Sequence, residues 1–229
     1  MTAQLDYELK QSARRSIGIQ ILADGRVAVR APKWVSRARI HAFVMSKSGW
    51  IERKRTELQA QLPPTGNFEP GSRFWHYGSW YPLKIANHPI KPALQLTADS
   101  FVLSPTHSGL AEATFTKWYK EAAQFYFEDR VAKLAAEHGF RYKQFKLSNA
   151  KHSWGACTST GAIRINWRLV MVAPDISDYV ICHELAHTVH MNHSAKFWAL
   201  VEKVCPEWQR HRRWLHDNGA QLVVSGRRD

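Results

Sequence analysis

One histidine-rich segment constrains this 229-residue chain more than any other feature. His183 and His187 enclose Glu184 in the pattern His-Glu-x-x-His, and His193 follows after five intervening residues. Residues four apart on an α-helix project from the same face, so His183 and His187 can bind one metal ion together. Glu184 is turned by roughly 100° from His183, which suits a base acting on water better than a metal ligand. The pattern predicts a helix with two zinc ligands and a general base.

The third ligand is predicted beyond the end of that helix. His193 can turn back toward the metal and leave the fourth position open, as catalytic zinc requires. His190 is the alternative, because it lies seven residues after His183 and shares its face if the helix continues. We favour His193, since Met191-Asn192 offers a residue that tolerates positive φ where the chain must turn.

The surrounding sequence supports a real metal site, although His-Glu-x-x-His strings also arise by chance. Asp175 after Pro174 is a good helix start, and apolar residues follow at helical spacing as far as Val189. A third histidine at ligand distance is hard to explain structurally. The sequence therefore predicts a zinc-dependent hydrolase.

Five further segments are informative when taken together. They are Trp154-Gly155-Ala156-Cys157, residues 161–169 (GAIRINWRL), residues 179–187 (YVICHELAH), Asn192-His193-Ser194 and Phe197-Trp198. In these segments the chain resembles the YgjP-like metallopeptidase family, whose relatives are the SprT and WLM zinc proteases. The likeness continues more weakly through residues 24–29 and the run that ends at Ile51. The chain differs at Ser153, where the family usually has arginine.

The resemblance and the predicted elements indicate an α+β fold. We expect a zincin-like metallopeptidase domain with a small antiparallel sheet packed on helices, plus an amino-terminal elaboration of β-hairpin and helix. The predicted divisions are an amino-terminal part at residues 1–109, a catalytic domain at residues 110–222 and a frayed basic tail at residues 223–229.

Turn residues and apolar periodicity predict the individual elements. The predicted hairpins are centred on Asp24-Gly25 and Gly78-Ser79, and a strand is expected around Val102. Three predicted helices have both ends assigned: Ser36 to Pro63, Ala111 to His138 with Gly139 as its cap, and Pro206 to Gly219. Two more are predicted to begin at Asp175 and at Ser194. Two further strands are predicted near residues 142–147 and 162–167.

The charge of the chain points to anionic partners. There are 32 Lys+Arg residues against 19 Asp+Glu, a formal net charge of +13. No acidic residue occurs between His138 and Pro174, and this segment contains Arg141, Lys143, Lys146, Lys151, Arg164 and Arg168. Nucleic acid or a nucleotide is a candidate partner, while a merely solvated basic face explains the run equally well.

Other features bear on the compartment. The first residues lack the basic region and the apolar region of a signal peptide, and no apolar stretch reaches the length of a membrane span. We therefore expect a cytoplasmic protein without membrane association. Three cysteines without Cys-x-x-Cys spacing favour reduced thiols over a disulfide framework or a zinc ribbon.

Peptide hydrolysis is the predicted reaction, with a protein or peptide as substrate. Residues 162–167 resemble the edge strand on which such proteases lay an extended substrate. Arg164, Trp167 and Arg168 are therefore candidate substrate contacts, and His152 is a candidate to stabilise the oxyanion. Core packing for Trp167 and a surface position for His152 are the structural alternatives.

Three other functions stay open at this point. A metal-dependent nucleotide phosphoanhydride hydrolase (a nucleoside triphosphate pyrophosphatase) fits the charge, but the chain has no P-loop. A nucleic-acid-associated protease that acts on DNA-bound proteins follows from the SprT resemblance, although no helix-turn-helix or zinc-finger signature is present. A structural zinc module is disfavoured by Glu184, because a closed site has four protein ligands and needs no base.

Overall fold

The computed structural model describes residues 6–22, 26–61 and 68–224, with side chains of residues 57–61 left aside. The chain divides near residue 65 into two compact units, each with its own hydrophobic core. Within the described residues, no helix is long and apolar enough to cross a membrane.

The smaller unit combines a three-stranded sheet with two helices. Its elements are β1 (Glu8–Ser12), β2 (Gly18–Ile21), β3 (Val27–Pro32), α1 (Arg37–Ser46) and α2 (Ser48–Gln61). β3 is central, antiparallel to β2 and parallel to β1. Its alternate residues Val27, Val29 and Ala31 are buried in a core with Ile40 and Val44 of α1.

The sequence predicted most of this unit correctly. The strands of the first hairpin are confirmed, whereas its Asp24-Gly25 turn lies outside the described residues. The single helix predicted from Ser36 is wrong, because Lys47 leaves the helical conformation (φ −106°, ψ 9°) and separates α1 from α2. Pro63, the predicted stop, also lies outside the described residues.

The larger unit begins with a four-stranded sheet packed on a long helix. The elements are β4 (Arg73–His76), β5 (Ser79–Ile85), β6 (Leu94–Leu96), β7 (Phe101–Leu103) and α3 (Ala111–His138), with strand order β4-β5-β7-β6. Phe74 stacks on Phe115 of α3, with ring centroids 4.0 Å apart. Gly139 ends α3 in the left-handed conformation (φ 72°), as predicted. This packing joins β4–β7 to the larger unit; the functional boundary predicted after residue 109 stays a prediction.

A second, three-stranded sheet lies before the last three helices. Its strands are β8 (Gln144–Ser148), β9 (Gly155–Cys157) and β10 (Ala162–Asn166), and the helices are α4 (Pro174–Ala186), α5 (Ala195–Val204) and α6 (Trp208–Asn218). The sheet is mixed rather than purely antiparallel, because β10 runs parallel to β8 and antiparallel to β9. The predicted edge strand at residues 162–167 is therefore central, and that prediction is wrong.

Helix α4 is anchored by apolar packing and by an ion pair. Its apolar residues Ile181 and Leu185 are fully buried. On the same side of the helix, Asp178 lies two turns before Leu185, and its carboxylate accepts two hydrogen bonds from the Arg130 guanidinium of α3, at 2.8 and 2.6 Å. A bidentate pair of this kind fixes orientation as well as distance, so it holds α4 against α3.

The tip of the β4–β5 hairpin contacts the segment that leads into α4. Tyr77 and Gly78 form a two-residue turn with φ values of 47° and 77°, as type I′ turns require. The turn N–H groups donate to the carbonyls of Val170 (3.0 Å) and Met171 (2.9 Å). A Cβ atom on Gly78 would lie 2.9 Å from the Cα of Ala173, so only glycine fits here.

We expect Gly78→Ala to lower the free energy of unfolding by about 1–3 kcal/mol, from left-handed strain and overpacking against Ala173. Chemical denaturation measures the difference. Gly109→Ala is the matched control, because a Cβ there meets no atom within 4 Å and φ is ordinary. Equal stabilities for the two variants would contradict the contact.

Candidate metal centre

The end of α4 and the turn after it bring three histidines together. The Nε2 atoms of His183 and His193 are 3.1 Å apart. One ligand-capable atom from each of His183, His187 and His193 lies within 4.8 Å of the others. Two nitrogens bound to one tetrahedral zinc at about 2.0–2.1 Å would be separated by about 3.3 Å. The donor set and its spacing thus fit a zinc ion.

A backbone carbonyl fixes the tautomer of His187. Its Nδ1 lies 3.0 Å from the carbonyl oxygen of His190. Because a carbonyl only accepts, Nδ1 carries the proton and Nε2 keeps its lone pair for a metal, an arrangement common among metal-binding histidines. His190 therefore contributes its backbone here, and its side chain is not part of the histidine group.

The chain reaches His193 without the predicted left-handed residue. Helix α4 ends at Ala186, and the His190 N–H still bonds to the Ala186 carbonyl at 2.9 Å. The described non-glycine residues with positive φ are Phe68 and Tyr77. The positive φ expected at Met191-Asn192 is thus wrong, although His193 does join His183.

Helix α5 packs directly on the histidines. The Ser194 hydroxyl caps it by accepting from the Phe197 N–H (3.4 Å), so the helix begins at Ala195, two residues after His193. The fully buried Phe197 ring stacks on His187 at 4.4 Å, and Trp198 stacks on His193 at 5.5 Å. These rings orient the imidazoles by packing.

Burial keeps two of the histidines neutral. It lowers the pKa of His183 to about 3, with smaller contributions from His187, His193 and the Arg212 guanidinium. The pKa of His187 is also lowered, mainly by burial. Since a metal binds the neutral imidazole, both side chains are in the binding form at neutral pH.

Glu184 lies on the side of α4 that faces β9. It is 6% exposed, and burial raises its pKa to about 8. A Cβ atom on Gly155 would lie 2.5 Å from the Cγ of Glu184. The absence of a side chain at Gly155 is therefore what lets the carboxyl group occupy this position.

A pocket of about 280 Å³ opens beside Glu184. It is lined from β9 and the residue before it, from α4 and from α6, by Trp154, Gly155, Tyr179, Val180, His183, Glu184, Arg212, Leu215 and His216. The sequence did not indicate a role for α6. Spacing places Arg212, Leu215 and His216 on one helical face, but only the packing of α6 on α4 brings that face to the site.

The four predicted substrate residues lie outside this pocket. Trp167 is 2% exposed and donates from Nε1 to Asn149 Oδ1 at 2.9 Å, so it packs in the core and cannot meet a substrate on the surface. Arg168 stacks over its ring, 4.2 Å from the centroid. Arg164 and His152 are exposed. Substrate roles for Arg164, Arg168 and His152, and an anionic partner for the basic segment, stay predictions.

Comparison with known proteins identifies the family. The family model described as YgjP-like, metallopeptidase domain matches residues 15–218. The chain belongs to this family. Metal-dependent peptidase chemistry comes with that membership, and the three histidines are a group that can bind the metal.

The chain was also compared with curated proteins and with solved structures. A search of curated proteins found no match. The crystal structure of the metallopeptidase zymogen of Pyrococcus abyssi abylysin is 25% identical in sequence and aligns over 39% of this chain and 91% of that chain, with a TM-score of 0.36.

We expect Gly155→Ala to lower the peptidase turnover rate by about 100-fold, because a shift of the Glu184 carboxyl by an ångström is enough to misplace a reacting group. Bound metal should stay unchanged, since the added methyl group contacts Glu184 and not the histidines. Turnover and metal content are measured on the same preparation. Gly109→Ala is the control, because a Cβ there meets no atom within 4 Å, and a Gly155→Ala protein as fast as this control would rule out the positioning role.

Proposed function

We propose that this protein is a zinc metallopeptidase of the zincin type, in which His183, His187 and His193 hold the ion and Glu184 is the general base. The observation that carries the proposal is the convergence of three imidazoles, two with Nε2 atoms 3.1 Å apart, beside a buried carboxyl group. Metal-dependent peptidase chemistry is already given by the family.

Glu184 supplies the proton transfers in this proposal. A bound zinc ion lowers the pKa of a coordinated water to about 7 and polarises a carbonyl. Glu184 takes a proton from the attacking water and returns it to the leaving nitrogen. Burial raises the pKa of this carboxyl, which makes its carboxylate a stronger base than that of an exposed glutamate.

Strand β9, rather than β10, is the proposed guide for the substrate. Both edges of β10 are occupied by β8 and β9, whereas β9 pairs on one side only among the described strands. An extended peptide can add to a free strand edge through main-chain hydrogen bonds. Because Gly155 of β9 touches Glu184, a peptide on this edge would pass beside the proposed base.

We expect purified protein to carry about one zinc ion per chain, and His183→Ala or His187→Ala to lose most of it, because the remaining ligands hold the ion weakly. Elemental analysis after dialysis measures the loss. His193→Ala should lose far more zinc than His190→Ala, the matched control, because the His190 side chain is not in the histidine group. Near-stoichiometric zinc in a His183→Ala/His187→Ala double variant would refute the site.

We expect Glu184→Gln to retain zinc and to lose about two to four orders of magnitude in rate, the usual effect of removing a general base. The assay compares wild type and variant on unfolded proteins, peptides and nucleoside triphosphates, so it also identifies the substrate class. Glu202→Gln, at an exposed glutamate of α5, should leave the rate unchanged. Wild-type turnover by Glu184→Gln would eliminate the proposed base.

A further inference from the structure

Helix α6 places an arginine without an acidic partner beside the histidines. Arg212 lines the same pocket as His183 and Glu184. Its neighbour Arg210 pairs with Glu207, but no ion pair or hydrogen bond joins Arg212 to a described residue. Its guanidinium instead lies over the ring of Trp198, 5.2 Å from the centroid. The cation is thus held in place while its N–H donors stay available.

A second unpaired donor faces the pocket from α4. Tyr179 lies one turn before His183, with ring centroids 5.9 Å apart, and it is 6% exposed. Its hydroxyl forms no hydrogen bond with any residue in the described part of the chain. Tyr179 and Arg212 line the same pocket, one from α4 and the other from α6.

The Arg212 guanidinium and the Tyr179 hydroxyl favour the same kind of ligand. A guanidinium only donates hydrogen bonds, and its preferred partners are negatively charged oxygens. The Tyr179 hydroxyl has no partner among the described residues, so an acceptor that enters the pocket can receive its hydrogen bond. Arg212 is exposed and no described side chain pairs with it, so its N–H donors can reach a ligand in the pocket.

We propose that Arg212 and Tyr179 form an oxyanion subsite, in which both donate hydrogen bonds to a negatively charged oxygen of the substrate. The proposal rests on the proposed peptidase function. One source of such an oxygen is the reacting carbonyl: water adds to its carbon, the water proton passes to Glu184, and the π electron pair moves to oxygen. The C–N bond then breaks as the nitrogen takes the proton. The other source is a terminal carboxylate near the scissile bond.

Two matched peptides distinguish these sources. One is blocked at both ends, and the other has a free carboxylate one residue after the same scissile bond. For a reacting carbonyl, Arg212→Gln lowers kcat on the blocked peptide by about 10²–10³-fold, the usual loss of an oxyanion donor, and Tyr179→Phe also lowers it. For a terminal carboxylate, the loss is confined to the free peptide and appears mainly in KM.

Arg213→Gln is the matched control, because Arg213 is the exposed neighbour on α6 and does not line the pocket. Zinc content is measured for every variant. If Arg212→Gln and Tyr179→Phe hydrolyse both peptides like the control at full zinc occupancy, the subsite is refuted. A rate loss explained entirely by lost zinc refutes it as well.

A binding measurement tests the subsite without hydrolysis. A phosphinic peptide carries a tetrahedral anion, and its affinity for zinc-loaded protein is measured by calorimetry. We expect Arg212→Gln to weaken binding by at least about tenfold relative to Arg213→Gln, the loss of roughly one charge-assisted hydrogen bond. Equal affinities would refute the subsite. If the wild type hydrolyses no peptide, the proposed function fails, and this titration still decides the subsite.

Discussion

The buried carboxyl group of Glu184 is the constraint on which the site depends. It is 6% exposed, and burial is the sole cause of its raised pKa, because no described residue donates a hydrogen bond to it. An unpaired buried acid is costly for a fold. The surrounding packing compensates: Arg130 ties α4 to α3 through Asp178, and Gly155 leaves room for the carboxyl. Such a group beside three histidines that can bind a metal is a candidate functional position.

The local parts of this arrangement could be predicted from the sequence. The spacing of His183 and His187 predicts that they share one face of a helix, and Gly139 predicts the end of α3 at His138. His193 was also predicted, but for a reason that proved wrong. The chain turns back without a left-handed residue, and the Ser194 cap with Phe197 places the third histidine. A helix cap such as Ser194 can be recognised in a sequence. The contact that it gives Phe197 with the histidines cannot be recognised there.

The non-local parts could not be predicted. Residues 162–166 read as a strand, but their neighbours in the sheet are a parallel strand from residue 144 and a three-residue strand from residue 155. No periodicity is detectable in three residues, and strand order depends on contacts between distant segments. The apolar pattern of the sequence similarly placed Tyr179 on the buried face of a helix. Only the packing of α6 on α4 shows that Tyr179 lines a pocket.

The net charge of +13 identifies no particular residue as functional. Exposed charges more than about 10 Å apart are largely screened at ordinary salt, so a net charge by itself acts as a diffuse field. Arg212 differs because Trp198 holds its guanidinium and because it lies in a pocket with Glu184 and His183. A charge that is already positioned beside a reacting group acts on it with little reorganisation. The proposed subsite therefore depends on one positioned arginine and makes no use of the basic segment at residues 141–168.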